Sequence, residues 1–240
     1  MHADERLPRY QRLRDELAAQ IAQHRWRPGE AIPTEQELAR SHGVAVGTVR
    51  KAVDQLVAEG MLERFQGRGT FVRRASFDGS LFRFFRFQNR RGERRIPTSR
   101  ILMREVVAAP SAVCTALKID ADARVIHMSR LRLIDEHPIL AEEIWLPYER
   151  FAAFATLAAD EIGDLLYPVY EAECNQIIAS ASETLTVETV DVMYGRLLRI
   201  EPGTPIVVIE RLAYGYDLRP LEWRRSRGPA SEFIYQVEIR

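Results

Sequence analysis

The residues TEQELARSHGVAVGTVRKAVDQLVAEGMLERFQGRGTFV (34–72) decide the fold of the N-terminal part of this 240-residue chain. Thr34 and Glu37 have the spacing of a capping box, in which each side chain accepts a hydrogen bond from the backbone N–H of the other residue. A helix is therefore expected to begin after Thr34. It is expected to be short, because Ser41, His42 and Gly43 form a sequence that stops a helix.

A longer helix is predicted over residues 46–59, with Gly60 as its C-terminal cap. The apolar residues at helical spacing on its buried side are Val49, Ala52, Val53 and Leu56. The residues on its opposite face are Val46, Gly47, Arg50, Lys51 and Asp54. An amphipathic helix is also predicted earlier, over 7–24. A helix, a tight turn and a helix with an exposed cationic N-terminal half indicate a helix-turn-helix arrangement.

The segment LERFQGRGTFV (62–72) predicts a β-hairpin directly after that helix. Gly67 and Gly69 supply the positive φ angles that a tight tip needs. Arg68 lies between them, where its side chain can reach a phosphate or enter the minor groove of DNA. The hairpin is then the wing of a winged helix. A plain packing unit and a protein-binding winged helix are alternatives, but turn, basic helix face and wing occur in the order that favours DNA binding.

The remainder of the chain predicts an α+β domain built on an antiparallel sheet. Strands are expected over 99–109, 123–134, 138–147, 206–216, 220–226 and 232–239. The turn between the second and third strands is expected at Asp135, Glu136 and His137. A helix rich in Leu and Val is expected over 187–198, with Thr186 as its N-terminal cap.

Two arginines fall on an otherwise apolar face of the strand 123–134. Alternation places Arg130 and Arg132 beside Ile126, Met128 and Ile134. Buried unpaired charge is costly, so both guanidinium groups need a partner. One hypothesis is an internal ion pair with a carboxylate, for which the candidates are Glu142, Glu143 and Glu210. The other is a ligand anion held between the two guanidinium groups.

The formal net charge of zero conceals an asymmetry. Residues 1–75 contain 13 Arg or Lys against 10 Asp or Glu, and the rest of the chain contains 21 against 24. A mildly basic N-terminal part is compatible with DNA binding by that part alone. No apolar run approaches the length of a membrane span, and the N-terminus is charged, so we expect a cytoplasmic protein without membrane contact.

The sequence contains no motif for a metal, a cofactor or catalysis. Cys114 and Cys174 form neither a disulfide framework nor a metal motif, and the five histidines are scattered. The segment SLFRFFRFQNRRGERR (80–95) interleaves arginines with aromatic residues, which can indicate single-strand binding. The preferred interpretation is structural. It places Phe82, Phe84 and Phe87 in a strand and the core, and it places Arg90, Arg91, Arg94 and Arg95 in a solvated turn.

The segment PGEAIPTEQELARSHGVAVGTVRKAVDQLVAEGMLERFQGRGTFV (28–72) resembles the DNA-binding domain of the GntR family of bacterial transcription regulators. The resemblance implies DNA contacts by Gln36, Val46, Thr48, Arg50, Gly67, Arg68 and Gly69. We add Lys51, which lies on the same exposed helix face. Gln36 and Val46 stand where many members have arginine, and Ala45 stands where a serine usually caps the recognition helix. These departures imply a different operator and more dependence on Arg50, Lys51 and Arg68.

The segments SRLRLIDEHPILAEEIWLP (129–147), LLYPVYE (165–171) and GTPIVVIERLAYGYDLRPLEWRRS (203–226) resemble the effector-binding UTRA domain of the HutC subfamily, which has a chorismate-lyase-like fold. The resemblance covers about residues 80–240. It implies an effector pocket lined by Arg130, Arg132, Glu142, Tyr167 and Glu222. Leu165 stands where phosphosugar-binding members usually carry serine, and Gly228 where a pocket tyrosine is common. A sugar phosphate is therefore disfavoured, whereas the arginines favour an acidic effector such as a carboxylate.

These patterns predict a DNA-binding domain over 1–73, a linker over 74–80 and an effector-binding and dimerisation domain over 81–240. The predicted function is that of a homodimeric repressor that binds double-stranded DNA at an inverted repeat and is released by a small anionic metabolite. One alternative is a chorismate-lyase-like enzyme, although fold does not fix function and no catalytic motif is present. The other is a DNA-binding protein that responds to no ligand.

Overall fold

The computed structural model describes residues 7–74 and 96–233, and the chain divides into two compact units. The first unit comprises essentially residues 1–75, and the second comprises nearly all of the remaining chain. The proposed domain limits at 73 and 80 stay predictions. The segment 80–95 and most of the expected strand 232–239 lie outside the described residues.

The first unit contains three helices followed by a β-hairpin, as the sequence predicts. The helices are α1 (Arg9–Ala22), α2 (Glu35–His42) and α3 (Val46–Ala58), and the hairpin strands are β1 (Leu62–Phe65) and β2 (Gly69–Val72). The buried residues of α1 are Leu13, Leu17 and Ile21, and those of α3 are Val49, Ala52, Val53 and Leu56. One apolar face of each helix therefore forms the core of this unit.

Local hydrogen bonds fix the ends of α2 and α3. The Thr34 hydroxyl accepts from the Glu37 N–H at 3.3 Å, while the Glu37 carboxylate accepts from the Thr34 N–H at 2.8 Å, which completes the predicted capping box. Gly43 ends α2 in the left-handed conformation, with a φ of 61°. Gly60, with a φ of 74°, donates to Val57, and the next N–H donates to Leu56, so α3 ends in a Schellman motif.

The wing is held by buried apolar side chains at its base and carries two aromatic rings near its tip. Leu62 pairs with Val72, and both side chains are buried. Near the tip, the Phe65 and Phe71 rings meet edge to face with their centroids 5.5 Å apart. Gly67 has a φ of 74°, as expected for a tight turn.

The second unit is a six-stranded antiparallel sheet with the strand order β3-β4-β5-β8-β7-β6. The strands are β3 (Thr98–Ala108), β4 (Arg124–Ile134), β5 (His137–Pro147), β6 (Ser180–Thr189), β7 (Pro205–Tyr214) and β8 (Pro220–Pro229). The helices are α4 (Ser111–Leu117), α5 (Tyr148–Thr156), α6 (Leu166–Cys174) and α7 (Val192–Leu198), and a short 3₁₀ helix (Ala230–Glu232) follows β8. The α+β class inferred from the sequence is confirmed.

Helices cover both faces of this sheet. On one face, Ile126, Met128 and Ile144 pack with Phe154 of α5 and Tyr170 of α6. On the other face, α4 and α7 each cover a separate apolar cluster. The face under α5 and α6 also carries the arginines of β4, which alternation assigns to the same side as Ile126.

A two-residue turn and a bulge set the pairing of β4 with β5. Asp135 and Glu136 form the turn with φ values of 48° and 60°, the positive angles of a type I′ hairpin turn, and His137 already begins β5. A register shift between Arg132 and Leu133 then places Glu142 opposite Arg130.

The predicted helix over 187–198 with Thr186 as its cap is confirmed only over its second half, 192–198. It is wrong over 187–191, where the chain first completes the strand β6. Instead Thr186 pairs with Val208 inside β6, and α7 begins only at Val192. The true cap is Asp191, whose carboxylate accepts from the Tyr194 N–H at 2.7 Å. Strand pairing along the whole of β7 prevails over the helical spacing of the apolar residues.

The capping box of α2 provides a stability prediction. Thr34→Ala removes an acceptor for an N–H group in the first turn of α2, and we expect a loss of about 1 kcal/mol. Urea denaturation of the full-length protein, followed by circular dichroism, measures the change. Thr34→Ser keeps the oxygen and should retain wild-type stability. Equal losses in both variants would show that the side-chain oxygen does not cap the helix.

Candidate functional site

The predicted DNA-contacting residues lie in the first unit on α2, α3 and the wing. Those with exposed side chains or, for glycine, exposed backbone are Gln36, Val46, Arg50, Lys51, Gly67, Arg68 and Gly69. Thr48 is half-buried. No described carboxylate forms an ion pair with Lys51 or Arg68, so both charges are available to an anion. The Arg68 guanidinium lies 5.7 Å from the Phe65 ring centroid, an aromatic support at the wing tip.

An ion-pair network connects the three elements of this surface. Glu35, at the start of α2, accepts from Arg50 of α3 at 3.0 Å and from Arg64 of the wing at 3.2 Å. Arg64 also lies 2.9 Å from Asp54 of α3. Both arginines and Asp54 are solvent-exposed and Glu35 is only half-buried, so the pairs add little stability. Their effect is geometric, because the Glu35 carboxylate orients the Arg50 side chain in the protein without DNA. Sequence reasoning missed Glu35 and Arg64, whose pairing depends on the packing of the wing.

The five predicted effector-site residues lie in one buried polar network of the second unit. Arg130 donates through Nε to Glu142 at 2.6 Å, and the other Glu142 oxygen accepts from Ser226 at 2.9 Å. Arg130 and Glu142 are 2% and 1% exposed, respectively. Burial opposes the ionisation of Glu142, but Arg130 and Arg224 outweigh it and hold its pKa well below the ordinary range.

Glu222 is the second carboxylate of the network. It accepts from Tyr170 at 2.9 Å, from Tyr167 at 3.2 Å and from Arg224 at 2.6 Å. Burial and the adjacent Glu222 charge raise the pKa of both tyrosines, so both hydroxyls stay protonated and can donate. Arg211 extends the chain by donating to the Tyr167 hydroxyl at 3.2 Å.

Arg224 joins the two carboxylates. Its guanidinium lies 2.6 Å from Glu222 and 3.6 Å from Glu142. Burial alone would lower the pKa of Arg224, but these two carboxylates raise it well above the ordinary value. Arg130 and Glu142 are thereby connected to Glu222 and Tyr167 through one buried cation.

Arg132 is the arginine of this network whose charge is least balanced by neighbouring groups. Its Nη1 donates to the Ser99 hydroxyl and to the Asp164 backbone carbonyl, and no described carboxylate forms an ion pair with it. The Asp164 carboxylate instead accepts from the Ser99 N–H at 2.5 Å. Burial, together with the charge of Arg130, lowers the pKa of Arg132 to about 10. The side chain is therefore still charged at neutral pH, although it is only 3% exposed.

The N-terminus of α6 lies beside Arg132. Asp164, which Arg132 contacts, immediately precedes Leu165, the N-cap of α6, and the Leu165 side chain caps no N–H group. The first turn of a helix carries partial positive charge, so this end of α6 and the Arg132 guanidinium both favour an anion in the same place. The departure at Leu165 removes a side-chain oxygen here but leaves the backbone N–H groups.

The two other carboxylates considered as partners lie on the opposite face of the sheet. Glu143 is within 3.6 Å of both His127 and Arg227, and Glu210 is 3.8 Å from Arg225. The internal ion-pair hypothesis therefore holds for Arg130 with Glu142 and does not hold for Arg132.

Sequence reasoning missed several members of the network, namely Ser99, Asp164, Tyr170, Arg211, Arg224 and Ser226. Alternation along β8 offered a signal, because Glu222, Arg224 and Ser226 share one face. Ser99 and Asp164 had no such signal, because Asp164 lies in the loop before α6 and meets Ser99 of β3 only through the tertiary fold. The described residues contain no group of three or more His, Cys, Asp or Glu that could hold a metal ion. None of the described helices combines the length and apolar character needed to cross a membrane.

Comparison with known families assigns both units. Residues 9–72 match the model of the bacterial regulatory proteins of the gntR family, and residues 92–234 match the UTRA domain. The chain is also 32% identical over 96% of its length, and 95% of the relative's, to the mannosyl-D-glycerate transport/metabolism system repressor MngR of Escherichia coli.

The chain belongs to the GntR family. Its UTRA domain makes it a regulator of the HutC type, and the related proteins named here are transcription regulators rather than enzymes. Another relative is the repressor NagR of Bacillus subtilis, with 25% identity over 97% of this chain and 96% of that protein. The two family matches and the relatives that are named repressors assign to this chain the function of a DNA-binding repressor that responds to a small-molecule effector.

Solved structures support the same assignment. The ligand-binding domain of a GntR-family regulator from Bordetella bronchiseptica superimposes with a TM-score of 0.56 at 26% identity, covering 62% of this chain and 93% of that domain. PhnF from Mycobacterium smegmatis gives a TM-score of 0.56 at 21% identity, covering 95% of this chain and 99% of that protein. The second similarity concerns the fold alone.

The unequal pairing of the two arginines predicts unequal effects of their substitution on the free energy of unfolding. Arg130→Gln leaves Glu142 buried with one partner fewer and should cost about 3–5 kcal/mol. Arg132→Gln should cost less than about 1 kcal/mol or stabilise, because a pKa below the ordinary value means that folding opposes the charge present at neutral pH. Urea denaturation of the full-length variants measures both changes.

The matched control is Arg100→Gln, an exposed arginine 2.6 Å from Glu136 in the same unit. Its effect should be within about 0.5 kcal/mol of zero. Equal, large losses for Arg130→Gln and Arg132→Gln would contradict the distinction between a structural arginine and an uncompensated one.

Proposed function

We propose that this GntR-family regulator is a cytoplasmic homodimeric repressor that binds an inverted-repeat operator and is released by a small metabolite bearing a carboxylate. The observation that carries the effector class is the environment of Arg132. Its guanidinium is buried, charged and without a carboxylate partner among the described residues, and it lies beside the uncapped start of α6.

The charge balance of the network favours an anionic ligand. Four buried arginines belong to the network, namely Arg130, Arg132, Arg211 and Arg224. Arg211 pairs with Glu183, so the other three share only two buried glutamates, Glu142 and Glu222. A ligand carboxylate at Arg132 would relieve the desolvated charge through charge-assisted hydrogen bonds. Leu165 provides no hydroxyl for a phosphate, which makes a carboxylate the better match.

The other end of the effector is expected to be polar and hydroxylated. Tyr167 is half-buried and connects Glu222 with Arg211, so hydroxyl groups of a ligand could exchange into these hydrogen bonds. The relative MngR is named for mannosyl-D-glycerate, a compound with both sugar hydroxyls and a carboxylate. This similarity supports a hydroxylated acid as the effector class here.

The operator symmetry follows from the size of the DNA-reading surface. One unit with a single recognition helix, α3, and one wing contacts few base pairs, so genomic specificity requires two half-sites. A homodimer with two such units reads an inverted repeat. We assign the dimer contact to the larger second unit, which leaves the first units available for DNA.

Release requires that the effector bind the DNA-bound and released arrangements with different affinities. We propose that the segment 74–80 transmits this difference between the units. The coupling is reciprocal, so operator DNA should weaken effector binding by the same factor by which the effector weakens operator binding.

The effector assignment predicts a separation of functions. Wild-type protein bound to its selected operator should be released by a hydroxylated carboxylate found in a metabolite screen, and the matching amide should be inactive. Arg132→Gln should bind the operator normally but lose release, because one or more charged hydrogen bonds, about 1.5–3 kcal/mol each, are removed from the effector site. Fluorescence anisotropy of labelled operator measures release.

The control for this experiment is Arg50→Gln, which should bind effector normally in calorimetry while losing operator affinity. An effector that releases Arg132→Gln as well as wild type would show that Arg132 does not hold the anion. A neutral effector with wild-type potency would reject the carboxylate.

The DNA-binding assignment predicts a strong dependence on salt. Arg50→Ala should cost about 1–3 kcal/mol of operator affinity. Arg68→Ala should weaken binding to all sequences and reduce the slope of log affinity against log salt by about one. Titrations at several salt concentrations measure both, with Arg100→Ala as an exposed-arginine control that should behave as wild type. Unchanged operator binding by both variants would refute the recognition surface.

A further inference from the structure

The first turn of the recognition helix presents an apolar side chain to solvent. Val46, the first residue of α3, is 37% exposed, whereas the other valines of the helix are buried or half-buried. One helical turn later, Arg50 lies on the same face and donates to Glu35 at 3.0 Å.

Gly47, the next residue, has no structural role that requires glycine. It lies inside α3, its φ is not in the left-handed region, and a Cβ at this position would meet no atom within 4 Å in the described part of the chain. Glycine within a helix lowers helix stability relative to alanine. The packing within the protein therefore does not explain why position 47 is glycine. A close approach of another molecule to the α3 backbone would explain it, because glycine has no side chain to obstruct that approach.

The chemistry of the major groove identifies what an exposed valine can read. Arginine, lysine, asparagine and glutamine read bases by hydrogen bonds, which valine cannot form. Among the unmodified base pairs, only those containing thymine present a methyl group in the major groove. Aliphatic side chains contact this methyl group and discriminate it by van der Waals packing and exclusion of water.

We propose that Val46 specifies a thymine by contact with its C5-methyl group, and that Gly47 allows the α3 backbone to approach the DNA closely enough for this contact. The inference rests on the proposed operator binding by α3 and identifies a base that this surface selects. Arg50, one turn further along α3, reads a base pair close to the same thymine.

The test removes single methyl groups from the DNA. The operator is selected from random duplexes by the full-length protein, and each thymine in one half-site is then replaced in turn by deoxyuridine, which lacks only the C5-methyl group. At one position, wild-type affinity should fall about fourfold, the size expected for burying one methyl group. Val46→Ala should bind the unmodified operator more weakly and show a smaller further loss at that position, because alanine retains only part of the contact with the methyl group.

Two matched variants complete the experiment. Val192→Ala alters another exposed valine at the first position of a helix, α7, and should retain the wild-type response to deoxyuridine. Gly47→Ala should keep or raise the melting temperature, because alanine favours the helix, yet bind the operator at least tenfold more weakly.

The outcomes separate this inference from the function on which it rests. Identical deoxyuridine profiles for wild type and Val46→Ala would overturn the methyl contact while leaving operator binding intact. Wild-type operator affinity in Gly47→Ala would overturn the close approach. Failure of the wild-type protein to select any duplex would overturn the proposed DNA binding, and this inference with it.

Discussion

The position of Arg224 between two buried carboxylates is the constraint on which the interior of the second unit depends. Removing Glu142 and Glu222 from water carries a large desolvation cost, which only close opposite charge and hydrogen bonds can offset. Arg224 supplies charge to both, at 3.6 Å and 2.6 Å, while Arg130 and the Tyr170 hydroxyl each complete one side. Strands β4, β5 and β8 and helix α6 are thereby connected through polar contacts that tolerate little displacement.

The same ion pairs leave one arginine of the network, Arg132, without a carboxylate partner among the described residues. Arg130 is committed to Glu142, and Arg224 is committed to both carboxylates, so Arg132 receives only a hydroxyl and a backbone carbonyl. Burial and the neighbouring Arg130 oppose the charge of Arg132 more strongly than the charges of Glu142 and Asp164 favour it, so its pKa is lowered to about 10. A sensor can use such a deficit, because an anion that supplies the missing charge gains binding energy from it. The proposed effector site and the opposed charge then coincide at one residue.

Local patterns explain what could be predicted from the sequence. Thr34 and Glu37 form their capping box within four residues, and β4 alternates regularly, so both were visible without tertiary information. The different pairing of Arg130 and Arg132 was not visible in the sequence, because it depends on a β-bulge in the pairing of β4 with β5. The turn at Asp135 and Glu136 alone would place Ala141 opposite Arg130, and the register shift after Arg132 places Glu142 there instead. Likewise Thr186 is committed to β6 by its pairing with Val208, a residue far along the chain.

The two units use arginine in different solvent environments, and this decides what each can do. Arg50 is paired with Glu35 on an exposed surface, with 61% of its side chain accessible, so water screens the pair and a phosphate or base can replace it at little cost. Arg132 is buried, so water screens its charge far less than that of Arg50. Exchangeable pairs suit a surface that must move between many DNA sequences. A desolvated, unmatched charge suits a site that must respond to one metabolite.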